Sequence, residues 1–278
     1  MRDFSFQLAG TTGKGVLLVH GLTGAPGEMK FLAKRLHLHG FSVHAPQLSG
    51  HGADQAALLA TRWPDWLATV RTAFDRFSAD LDEVYIAGIC VGGALGLALA
   101  AEEPRVRAAA VYSMTYRYDG WNMKRWYSSV VPLARPFARL PGLRSMSFAE
   151  PYPFGLKDER LRASAANAER PLIPGALERL PLGSMYEMHD LGEHIDRIGA
   201  QIRQPTLILH AREDDMSDPR NAERLRRVLG GRVELHMLDN CYHMIHVDRQ
   251  RGRVGELTAS FFGAPAGVRL GREELTDA

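Results

Sequence analysis

Apolar and polar positions along the chain follow two alternating periods. Short apolar runs at residues 16–19, 84–89, 106–114, 206–210 and 233–238 have the length and β-branched content of buried strands. Between them, apolar residues recur three and four apart. Over residues 28–39, Met29, Leu32, Ala33 and Leu36 fall on one helical face, and Gly40 follows as a stop. Residues 64–77 read as an amphipathic helix headed by Trp63 and Trp66. Further helices are predicted over 221–229, ended by Gly230-Gly231, and over about 248–262. Residues 4–8 alternate like an edge strand, 41–45 form another strand, and 263–278 read as a loose polar tail. Strands that alternate with helices at this spacing give right-handed βαβ units. The predicted fold class is therefore α/β, with a doubly wound, mostly parallel sheet.

The rhythm breaks between residues 116 and 203. This stretch is rich in Pro, Arg and Met and has no convincing buried strand. Tyr116, Tyr118, Trp121, Trp126, Tyr127, Phe137, Phe148, Tyr152 and Phe154 crowd its first half. It reads as a mostly helical insertion into a core built from residues 1–115 and 204–278. An insertion this long between two core strands is usually functional. Its aromatic stripe suits either the insertion's own core or an acyl pocket.

One stretch of the core carries distinctive chemistry. Residues 84–89 turn at once into a small-residue-rich helix through Gly88-Ile89-Cys90-Val91-Gly92. With no room for a loop, the middle residue is forced into a strained backbone region, and glycine on either side lets helix pass close to strand. Cys90 then stands at a strand's carboxyl end and a helix N-terminus, the geometry of a nucleophile elbow. Unpaired N–H groups and the helix dipole favour a thiolate there, and the Val91 N–H is placed to donate to an oxyanion. G-x-C-x-G by itself also suits a buried structural cysteine in a tight turn.

Other loops leave core strands at the same edge, where ligands gather in such sheets. They hold His20-Gly21-Leu22, then Glu213, Asp214, Asp215 and Asp218, and finally His243. The order nucleophile, acid, histidine is that of a hydrolytic triad. Cys90 would attack a carbonyl carbon, His243 would carry the proton, and one of the carboxylates would orient His243. The Leu22 and Val91 backbone N–H groups would form an oxyanion hole. Leu22, Met114, Trp121 and Met244 are the expected walls of the substrate pocket. His20 and His51 read as loop-bracing residues, and Cys241 as a packing residue.

The chain has 278 residues, 45% hydrophobic and 24% charged, with a net charge of +2. These are the values of an ordinary globular protein. Lys and Arg are dispersed among Asp and Glu, which argues against a nucleic-acid partner. There is no apolar run long enough to span a membrane. Residues 1–7 lack an apolar signal core, and two cysteines make no disulfide framework. A reducing, cytoplasmic location is the expectation.

Taken together, the motifs resemble the α/β-hydrolase superfamily over nearly the whole chain, and within it the small bacterial carboxylesterases and monoacylglycerol lipases. His20-Gly21-Leu22-Thr23-Gly24 is similar to their H-G-F-T-G oxyanion loop, and Gly50-His51-Gly52 to their G-H-G loop. Residues 211–219 resemble their A-R-x-D-x-M-x-x-P stretch, which selects Asp214 as the acid, and Cys241-Tyr242-His243 their S-G-H loop. The resemblance implies an α/β-hydrolase fold, residues 116–203 as a cap, a small acyl ester substrate, and neither metal nor cofactor. The chain departs from that group at Cys90, where those enzymes carry serine. Dienelactone hydrolases and polyhydroxyalkanoate synthases resemble it in using G-x-C-x-G. A thiolate suits thioesters, lactones and aryl esters, so thioester cleavage, lactone hydrolysis and acyl transfer stand beside ester hydrolysis. A catalytically weak ligand-binding protein on the same scaffold is a further alternative.

Overall fold

The computed structural model describes residues 2–123, 141–166 and 172–263. Its centre is a seven-stranded sheet of β1 (Phe6–Leu8), β2 (Lys14–Val19), β3 (Ser42–Ala45), β4 (Glu83–Ile89), β5 (Val106–Tyr112), β8 (Thr206–Ala211) and β9 (Val233–Leu238). The spatial order is β1-β3-β2-β4-β5-β8-β9. Only β1 is antiparallel, paired with β3 at the edge. All other neighbours run parallel. Val16, Leu17, Leu18 and Val19 are all fully buried, because helices cover both sides of a sheet whose central strands are apolar on both faces.

The helices follow the predicted periodicity. Helix α1 (Lys30–Leu38) starts from the 3₁₀ turn Pro26–Met29, and Met29, Leu32, Ala33 and Leu36 are wholly buried. After the short α2 (Gln55–Leu59), α3 (Trp63–Ser78) begins with Asp65 accepting a hydrogen bond from Arg62 N and buries Trp66, Val70, Phe74 and Phe77. Helix α4 (Val91–Glu102) follows β4 directly and is buried along nearly its whole length.

Between β5 and β8 the described residues differ from the expected mostly helical segment. Helix α5 (Pro141–Arg144) leads into β6 (Ser147–Ala149), and α6 (Glu159–Ala165) precedes β7 (Arg179–Pro181). β6 and β7 form an antiparallel ribbon in the register Phe148↔Leu180. Strands of three residues that are only half-buried carry no readable alternation, so periodicity passes over them. Helix α7 (Leu182–Ile198) packs against α3 and α4, as a layer of the core. Trp126, Tyr127 and Phe137 of the aromatic stripe, and most of the polar tail, lie outside the described residues. The chain closes with α8 (Arg220–Val228) and α9 (Arg251–Phe261), the latter packed on α1.

The β4–α4 junction is among the tightest backbone approaches of the described residues. A Cβ on Gly88 would lie 2.4 Å from the Gly92 carbonyl carbon, and one on Gly92 only 2.2 Å from Val19 O. Both obstacles are backbone, so nothing flexible can yield. Gly92→Ala is expected to cost about 3 kcal/mol or to prevent folding, read as a lowered urea midpoint. Gly252→Ala is its control: nothing lies within 4 Å of that added methyl, so the midpoint should hold or rise slightly.

Candidate active site

Three loops at the carboxyl edge of the sheet converge on Cys90. The residue sits at the N-cap of α4 with φ 52° and ψ −117°, outside the usual space of a side-chain-bearing residue. Its N–H is held by Tyr112 O of the neighbouring strand at 2.9 Å. The strain is thus fixed by a sheet bond on one side and a helix on the other, and only 4% of the residue is exposed. Val91 opens α4, so its N–H lacks an intrahelical acceptor.

His243 stands on the loop after β9, and Asp214 on the loop after β8. His243 Nδ1 lies 3.0 Å from Asp214 Oδ1 and 2.9 Å from Oδ2. That contact places a ring proton on Nδ1, and the neighbouring Cys90 side chain acts on the same ring. Asp214 Oδ1 also accepts from Met216 N and Ser217 N at 2.9 and 2.8 Å. His210 Nε2 lies 3.3 Å from Asp214 Oδ2 and 3.0 Å from Ser217 O. Facing two acceptors, it carries its proton there.

The charges follow from this packing. Burial disfavours a charged His243 ring, but the Asp214 carboxylate, its hydrogen bond and the Cys90 sulfur together raise the pKa well above the usual imidazole range. Burial likewise pushes Asp214 up, and the His243 ring outweighs it, leaving the carboxyl below its ordinary value. An imidazolium–carboxylate pair is the favoured state.

The loop after β2 forms the opposite wall. Leu48 N donates to His20 Nε2 at 3.1 Å, so Nδ1 carries the hydrogen and donates to Gly21 O at 2.9 Å. Burial, with His51 nearby, pushes His20 down to about 3, which keeps it neutral. The Gly21 N–H donates to Glu28 Oε1 at 2.7 Å. Both backbone groups of Gly21, the residue before Leu22, are therefore anchored.

Above these loops lies a cavity of about 460 Å³. Leu22, Cys90, His243 and Met244 line it from the sheet edge, and Phe148, Ile173 and Leu180 from the segment between β5 and β8. Two expected pocket residues are not on its wall. Met114 is fully buried beneath it, with its carbonyl accepting from Ser217 Oγ at 2.7 Å. Trp121 is 60% exposed because its indole N–H is pinned to Glu213 O at 2.9 Å and its ring meets Tyr242 edge-on. Sequence reasoning missed Glu28 and Glu150, which both line the cavity. Burial pushes each to about 7. Glu28 had looked like the first residue of a helix, and Glu150 had no periodic signal at all. Among the described residues, His189, Asp190 and Glu193 on α7 have metal-ligand spacing, and none of them lines the cavity.

The sheet, the elbow and the order of the three loops define an α/β-hydrolase fold. Residues 11–250 match the family described as Hydrolase_4, "Serine aminopeptidase, S33". The chain belongs to that family. It is 25% identical over 255 residues to the thermostable monoacylglycerol lipase of Bacillus sp. (strain H-257), spanning 91% of this chain and 92% of that one. It is 23% identical over 243 residues to a carboxylesterase of Bacillus subtilis (strain 168), spanning 87% and 89%. A solved structure of the metagenome-derived lipolytic enzymes LipS and LipT superposes with a TM-score of 0.78 at 24% identity, covering 93% of this chain and 96% of that one.

The electrostatic account makes a direct claim about one ring. With Asp214→Asn the largest opposition to the burial of His243 is lost, and its pKa should fall. Following the His243 ring carbon protons by NMR across pH tests this; an unchanged midpoint would contradict it.

Proposed function

We propose that the chain is a carboxylic ester hydrolase that works through an acyl-cysteine intermediate. The observation that carries this reading is His243, which is bound to Asp214 through Nδ1 and lines the same cavity as Cys90. The likeness to enzymes named monoacylglycerol lipase and carboxylesterase supports an ester as substrate.

Each group has one task. The Cys90 sulfur, as thiolate beside the His243 imidazolium, attacks the ester carbonyl carbon. The carbonyl electrons move onto oxygen, where the Leu22 and Val91 N–H groups receive the charge, each donor worth about 3 kcal/mol in such sites. The oxyanion collapses, the carbon–oxygen bond to the alcohol breaks, and His243 gives its proton to the leaving alkoxide. Water then attacks the thioester, His243 takes its proton, and the Cys90 thiolate departs with the acid released. Asp214 keeps the ring in one tautomer and stabilises its charge throughout.

In this reading residues 116–203 are the cap, and Phe148, Ile173 and Leu180 supply apolar surface for the acyl chain. No helix among the described residues is long and apolar enough to cross a membrane. Both cysteines are unpaired, which fits a cytoplasmic setting. The thiol itself favours a second reading, thioester cleavage or acyl transfer, because an acyl-thioester forms readily from another thioester.

Incubation with a p-nitrophenyl acyl ester should release nitrophenol and add one acyl mass to the peptide holding Cys90. Cys90→Ala should lower kcat/KM by at least about a thousandfold. Undiminished turnover in that variant would remove the proposal. A parallel panel of acyl-CoA thioesters separates the two readings, since a strong oxygen-ester preference excludes the second.

A further inference from the structure

The backbone around His243 is tied to one short piece of chain outside the sheet. Three consecutive N–H groups lead there. Tyr242 N donates to Asp248 Oδ2 at 2.8 Å, and that same carboxylate accepts from Lys157 N and Asp158 N, each at 2.8 Å. His243 N donates to Asp215 Oδ1 at 3.3 Å, while Asp215 Oδ2 accepts from Gly155 N at 3.1 Å. Met244 N donates directly to Gly155 O at 2.9 Å. Both carboxylates are fully buried. Gly155 itself presses on the loop: with φ +71°, a Cβ there would lie 3.2 Å from His243 Cβ and 3.1 Å from Met244 Cγ. The same segment begins at Glu150 and Pro151 on the cavity wall.

We infer that Asp215 is a positioning residue, whose two oxygens tie the His243 backbone to residues 151–158, so that the chain walling the cavity also sets where the imidazole stands. The inference rests on the proposed role of His243. Asp214 already orients the ring through Nδ1; Asp215 fixes the backbone from which that ring hangs. The bridge needs two acceptor oxygens. An asparagine of the same shape offers one, and its amide N–H₂ would face one of the two N–H donors. A carboxylate is retained here despite burial and a neighbouring carboxylate at Asp214, both of which oppose its charge.

Asp215→Asn should lower kcat on a p-nitrophenyl ester by roughly tenfold to a hundredfold, as expected for a displaced proton carrier, with KM changed less than about twofold. The downfield NMR resonance of the His243 Nδ1 proton should move as well. A side chain that merely stabilises the fold would shift the unfolding midpoint and leave kcat and that resonance alone, and this result overturns the inference. Gly155→Ala displaces the same segment while leaving the Asp215 side chain unchanged. It should give the same kcat-selective loss, and the double variant should lose less than the product of the two. Should Asp215→Asn fail to fold, Gly155→Ala decides alone: kcat and resonance both unmoved would overturn the inference. If wild type acylates no Cys90 yet the resonance moves, the ester-hydrolase reading fails while the positioning role stands.

Discussion

Helix α4 passes so close to strand β4 at Gly88 and to the end of strand β2 at Gly92 that neither glycine has room for a side chain. The Val19 carbonyl sits where a Gly92 side chain would begin, and the Gly92 backbone where a Gly88 side chain would begin. Cys90 lies between these two positions and has no freedom left. Its positive φ is imposed by the contact, and its amide is spent on Tyr112 O. Everything in the candidate site is placed relative to that sulfur: the β2 loop across from it, the β8 and β9 loops beside it, the cavity above. The parallel sheet supplies the edge, and this junction decides which point on the edge carries the candidate nucleophile.

A second constraint is electrostatic. Asp214, Asp215, Glu28 and Glu150 cluster around a single imidazole. They are not equivalent. Asp214 is charged because His243 meets it at 2.9 Å and two backbone N–H groups saturate one of its oxygens. Asp215, one residue on, is pushed up to about 6 by burial and by Asp214 itself. Glu28 and Glu150 rise to about 7, burial being the main cause for both, with His243 pulling each of them down. Adjacent carboxyls thus shift in opposite directions, Asp214 down beside the His243 ring and Asp215 up through burial and Asp214.

The legible parts of the sequence were those governed by local rules. The buried runs are strands, Met29, Leu32, Ala33 and Leu36 share one helical face, and the glycines of G-x-C-x-G mark the elbow. Cys90 and His243 were legible for the same reason, each following a recognisable strand, whereas Asp214 stood out from Glu213, Asp215 and Asp218 only through the family resemblance. What escaped reading depended on partners far along the chain. β6 finds β7 across some thirty residues, and neither strand alone has a pattern. Met114 follows a strand like a site residue, but it is fully buried and off the cavity wall, its carbonyl bound by Ser217 Oγ. Trp121 belongs to the aromatic stripe, but Glu213 O holds its indole facing outward. Glu28 sits only eight residues after His20, yet its meaning depends on the loop folding back over it.

That fold-back raises a question of sign. A charged carboxylate directly behind Gly21 works against negative charge forming near the Leu22 N–H, and the β2 loop is where the proposed oxyanion would lie. Burial changes the balance. At about 7 the Glu28 carboxyl is uncharged for much of the time near neutral pH. A protonated carboxyl still offers Oε1 to the Gly21 N–H, so the loop keeps its anchor while the opposing charge is removed. The same argument fails for an exposed glutamate, which would stay ionised. Deep placement under the loop is therefore what lets one residue brace the oxyanion donor without repelling the oxyanion.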